Sequence, residues 1–95
     1  MLLEKLKATK ALIERGWITG AYARDRAGNV VPSRAPDACC WCLIGACNAA
    51  AGDYVREVIA HISRVAGIHG SLAAWNDTHT KEEVLALLDK AIEHA

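Results

Sequence analysis

The sequence predicts an α+β, mostly helical fold: four to five helices around a central apolar helix at 37–51, with one small antiparallel β-hairpin at 17–31. Three observations predict it. Apolar residues recur at helical spacing in several separate segments. Turn-forming residues, Asp25-Arg26-Ala27-Gly28-Asn29, lie between an aromatic-bounded first arm at 17–23 and Val30-Val31. Helix start and stop signals divide the remainder into lengths of one helix each.

The first helix is expected over 2–15. Leu2, Leu6, Thr9 and Ile13 form its inner stripe, with Glu4, Lys5, Lys7 and Lys10 outside. Gly16 is expected to end it in a left-handed conformation. Pro32 and Pro36 bracket a loop that cuts the second hairpin arm short. The segment 37–51 is the most apolar, and Gly52 closes it. Asp53 is expected to cap a third helix through residue 65, with Val55, Val58, Ile59, Ile62 and Val65 inside. Ser71 caps a short helix through 75, broken by Asn76-Asp77. Thr80 with Glu83 three residues on is a capping box for the last helix, whose stripe is Val84, Leu85, Leu88, Ala91 and Ile92.

With 95 residues, the chain is read as a single domain, 1–95. Hydrophobic residues make up 53% of it and charged residues 23%, which excludes a disordered chain. Lys and Arg number 11, and so do Asp and Glu. That balance makes a nucleic-acid partner unlikely, because phosphate neutralisation needs a basic surplus. No run of about 18 apolar residues is present, so no membrane association is expected. The start Met1-Leu2-Leu3-Glu4-Lys5-Leu6 reads as an amphipathic helix rather than a secretory leader. A cytoplasmic location follows as the expectation, with free thiols rather than a disulfide framework.

Cys39, Cys40, Cys42 and Cys47 fall within nine residues and are the clearest chemical feature. On a helical wheel Cys39, Cys42, Leu43, Ala46, Cys47 and Ala50 share the inner face. Buried cysteine behaves as a small hydrophobe, so the wall of a central helix accounts for the cluster. Cys39-x-x-Cys42 is also a weak metal or thiol-redox motif. Cys47 would stand about 7.5 Å along the helix axis from Cys42, too far to join one ion. No zinc-knuckle spacing links His61, His69 or His79 to it. No cofactor is expected. His61 and His94 read as solvated.

Trp41, Gly45 and Asn48 occupy the other side of the same helix. A glycine inside a helix costs about 1 kcal/mol relative to Ala, which points to close approach by a backbone or a ring. Trp75-Asn76-Asp77-Thr78-His79-Thr80 joins two helices. Its polar residues are turn formers first. Asn76, Asp77 and His79 beside Trp75 are also the residue types that orient a polar ligand. Arg24, Arg26 and Arg34 read as a solvated turn.

Four runs together resemble a known family. They are Trp17-Ile18-Thr19-Gly20-Ala21-Tyr22-Ala23-Arg24-Asp25, Cys42-Leu43-Ile44-Gly45-Ala46, Trp75-Asn76-Asp77, and the helix from Glu83 to Ile92. The chain resembles a family of small uncharacterised proteins of bacteria and their phages, a domain of unknown function with Cys-Ala-Leu-Gly-Ala-like and Trp-Asn-Asp motifs. The resemblance singles out Cys42, Gly45, Asn76 and Asp77. It implies no cysteine at positions 39, 40 and 47, which weakens the metal and dithiol readings. The leading functional expectation is a non-enzymatic protein-interaction module that binds a partner or itself. The alternatives are a small-ligand or catalytic site built from Cys42 and the Asn76-Asp77-His79 loop, and a metal or thiol-redox protein using Cys39 and Cys42.

Overall fold

A computed structural model describes all residues, 1–95, of the chain. The chain forms five α-helices and one two-stranded antiparallel sheet, so the α+β, mostly helical class holds. The elements are α1 (Leu2–Arg15), β1 (Ala23–Arg24), β2 (Cys40–Trp41), α2 (Leu43–Ala51), α3 (Val55–Ala66), α4 (Leu72–Asp77) and α5 (Lys81–Glu93). A single 3-10 turn, Gly52–Tyr54, links α2 to α3. No helix is long and apolar enough to cross a membrane.

Helix α1 buries Leu6, Thr9 and Ile13, the stripe its periodicity predicts. The Thr9 hydroxyl is tolerated there because it donates to the Lys5 carbonyl, 2.8 Å away. α1 lies against α2 and α5, and Lys10 meets Asp89 of α5 at 2.6 Å. α2 is the hub: Leu43, Gly45, Ala46, Cys47 and Ala51 are buried, and α1, α3 and α4 all pack on it. Its small side chains let three neighbours approach one short helix. α5 begins at the complete Thr80–Glu83 capping box and buries Val84, Leu87, Leu88 and Ala91.

The sheet differs from the expected hairpin at 17–31. The turn forms: Asp25 Oδ1 accepts the N–H groups of Ala27 and Asn29, and Gly28 has φ +86°. A lone bridge joins Arg24 to Val30, and Pro32 stops that arm at once. The regular pairing is with the other edge of β1, where Ala23 faces Trp41 and Arg24 faces Cys40.

The central helix also starts later than residue 37. Cys39 is outside any element, Cys40 and Trp41 are strand, and Cys42 is the N-cap of α2. The sheet claims the backbone of 39–41, so the wheel that placed Cys39 and Cys42 on one face does not apply. Three further expectations are corrected. Gly16 ends α1 in an extended conformation, φ −176°, rather than a left-handed one. It is glycine because a Cβ there would lie 2.5 Å from the Cys39 carbonyl oxygen. Asp53 lies in the 3-10 turn and caps nothing with its side chain. Asn76 and Asp77 do not break α4; they form its last turn.

His61 is buried rather than solvated, and its Nε2 donates to the Ala91 carbonyl at 2.9 Å. That oxygen belongs to the last turn of α5, where a helix has no backbone donor left for it. His94 is exposed, as expected.

Candidate functional site

The N-terminus of α2, the C-terminus of α4 and the connecting segment 17–23 meet at one amide. Asn76 is fully buried. Its Oδ1 accepts the Trp17 indole N–H at 2.7 Å and the Leu43 backbone N–H at 3.1 Å. Its Nδ2 donates to the Ile18 carbonyl at 3.1 Å and to Asp77 Oδ1 at 3.2 Å. Two donors and two acceptors exhaust what a carboxamide can make, and they dictate which end is oxygen. Leu43 is the first residue of α2, so its N–H has no partner within the helix. Asp77 Oδ1 also accepts the Gly20 N–H at 3.1 Å. Neighbouring side chains thus hold residues 17–20 in place.

Cys42 supports the same junction from the other side. Its sulfur accepts the Gly45 N–H at 3.3 Å as the N-cap of α2, and its own N–H donates to the Tyr22 carbonyl at 3.2 Å. Burial pushes the Cys42 thiol above its ordinary value, donation from the Gly45 and Ile44 amides partly offsets this, and the Asp77 charge raises it further. Gly45 is the point of closest approach. A Cβ there would overlap the Tyr22 carbonyl oxygen and lie 2.7 Å from its carbonyl carbon. The close neighbour expected from a mid-helix glycine is therefore a loop backbone, not another helix.

Above this junction lies an open cleft of about 370 Å³. Cys42, Asp77, Gly20, Ala21, Tyr22, Val30 and Ala73 line it. Asp77 is its one charged residue. Tyr22 and Val30, 55% and 65% exposed, stand at its edge.

The structure therefore brings together Cys42, Gly45, Asn76 and Asp77. It leaves His79 and Trp75 aside. Their rings stack at 3.9 Å, and His79 Nδ1 donates to the Trp75 carbonyl at 2.6 Å, which also accepts from Thr78 at the end of α4. Neither lines the cleft. Cys39 lines a separate polar cleft with Arg15, Arg26 and Asp37, so Cys39 and Cys42 do not share a site. No group of three or more His, Cys, Asp or Glu side chains is placed to hold a metal ion. Cys47 is sealed in the core, where burial pushes its thiol up to about 12. Sequence reasoning gave no role to Trp17, Ile18, Gly20 or Tyr22. The one signal for Trp17 was its indole, a donor that a packed domain must satisfy.

The fold and this junction define a small, mostly helical protein whose α1–β1 connection is fastened by side chains of two helix termini. The chain belongs to a family of unknown function, DUF6197, whose model matches residues 2–94. No curated protein and no solved structure matches the chain.

Proposed function

We propose that this protein is a non-enzymatic interaction module whose binding surface is the Tyr22–Val30 cleft. One observation carries the reading. The residues that could do chemistry are occupied in holding backbone, while the apolar residues beside them stand open. Asn76 has no hydrogen-bonding capacity to spare. The Cys42 sulfur is a helix cap with a raised pKa, and His79 lies outside the cleft. Tyr22 and Val30 remain exposed above a mainly apolar floor carrying one carboxylate. That chemistry suits a protein segment, from a partner or a second copy, presenting an apolar side chain beside a lysine or arginine. The four cysteines are free thiols, the form that a reducing cytoplasm of a bacterium or phage-infected cell maintains.

A peptide array of apolar–basic segments, with light scattering on the purified protein, tests the reading. Binding or self-association that disappears in Tyr22→Ser/Val30→Ser and weakens in Asp77→Asn is expected. A monomer that binds no array member overturns it.

A second reading treats the same cleft as a small-ligand or catalytic site, because Cys42 and Asp77 both line it. Its mark is a Cys42 thiol that an electrophile modifies in the folded protein faster than Cys39. Slower modification than Cys39 excludes it.

A further inference from the structure

A second cleft shares no residue with the first, and its chemistry is of one sign. Helices α3 and α5 meet through the hydrogen bond from His61 Nε2 to the Ala91 carbonyl. A carbonyl only accepts, so Nε2 carries a proton. The other ring nitrogen, Nδ1, has no protein partner. His61 is only 6% exposed, yet Nδ1 is not sealed in the interior. The ring lines a cleft of about 370 Å³ whose other walls are Arg64, Val65, Lys90 and His94. No acidic side chain lines it, and neither Arg64 nor Lys90 is in an ion pair. In a chain with 11 acidic and 11 basic residues, this is a local concentration of basic side chains.

Arg64 and Lys90 stand in the last turns of their helices, where a cation complements the helix dipole. That accounts for one basic residue on each helix. It does not account for a buried imidazole, its Nδ1 without a protein partner, on the wall of the same cleft. A metal ion is the wrong occupant, because the neighbouring guanidinium and ammonium groups repel it.

We propose that this cleft is a binding site for a tetrahedral oxyanion, a phosphate or a phosphate monoester. Arg64 and Lys90 supply the charge, with His61 and His94 beside them as hydrogen-bonding groups. Charge-assisted bonds to a doubly charged oxyanion are the strong ones, and Arg64 offers a fork that matches two of its oxygens. His61 and Arg64 also line the adjoining cleft, with Tyr54 and Glu57.

The test is an NMR titration of the histidine ring nitrogens in the full chain, at constant ionic strength. Sulfate is the first probe, since its charge does not change between pH 6 and 8. A saturable shift at the His61 ring nitrogens is expected. Arg64→Gln/Lys90→Gln changes two surface residues and should weaken binding at least about fivefold, as loss of charge-assisted contacts does. Inorganic phosphate and phenyl phosphate, compared at pH 6, distinguish a free anion from an esterified one. A shift confined to exposed His94, no saturation at His61, or unchanged affinity in the double variant overturns the proposal.

Discussion

Asn76 and Trp17, 59 residues apart in the chain, are joined by a 2.7 Å hydrogen bond from the indole N–H to the side-chain oxygen. The same oxygen holds the first amide of α2, and the paired nitrogen holds Ile18. One buried side chain therefore sets the position of three segments.

Asn76→Ala leaves the Leu43 N–H, the Trp17 indole and the Ile18 carbonyl without this partner. A buried group stripped of its partner costs about 1–3 kcal/mol, so a loss of about 3 kcal/mol or more is expected after partial rescue by water. Urea unfolding measures it. Trp17 fluorescence should move to longer wavelength in the folded variant as its indole is freed.

Gly45→Ala should be destabilising although alanine is the better helix former. Propensity favours Ala by about 1 kcal/mol, but the added methyl overlaps the Tyr22 carbonyl and forces 20–22 outward. A net loss of about 3 kcal/mol is expected, at the upper end of overpacking costs. Gly70→Ala is the control. No atom lies within 4 Å of a Cβ there and its φ is not positive, so thermal unfolding should barely change.

Thiol titration of the folded protein should divide the cysteines in two. Cys39 and Cys40 are partly exposed and should react first; Cys42 and Cys47 are buried and should wait for unfolding. Alkali adds a second signature. The Cys47 thiol keeps its proton to about 12 when folded, against an ordinary value of 9.0. The unfolded chain releases that proton above pH 9, so its contribution is whole below pH 9 and is lost as pH rises toward 12. The slope is about 1.4 kcal/mol per pH unit for one thiol. Burial, first among the causes, raises Cys40 and Cys42 in the same direction. Unfolding curves at pH 8.5 and 10.5 should differ accordingly, and Cys47→Ala should reduce the difference.

Local features were legible in the sequence. The α1 stripe, the Ser71 cap and the Thr80–Glu83 capping box depend on residues within a few positions of one another. The Asp25–Asn29 turn was legible for the same reason, but its strand partner was not. Trp17–Ala23 chemistry cannot reveal that β1 takes Cys40 and Trp41 as its regular strand partner on the edge away from Val31. Cys39 to Trp41 suit a helix or a strand equally by composition, and pairing with β1 decides between them. His61 was misjudged because its place depends on an unpaired carbonyl on α5. Of the candidate site, Cys42, Gly45, Asn76 and Asp77 do converge. His79 does not, since adjacency in the chain said nothing about which way α4 turns its last residues.

The Asn76 junction also carries a kinetic consequence. Its bonds close loops of 59, 58 and 33 residues, whereas the helices need only local contacts. Helices should therefore assemble first, and residues 17–22 should settle only after α4 has docked. Pulse-labelled hydrogen exchange during refolding reads this directly: the Gly20 amide, held by Asp77, should gain protection after the amides of α1. On a ribosome, residues 17–22 would wait for α4 to emerge before they found their place.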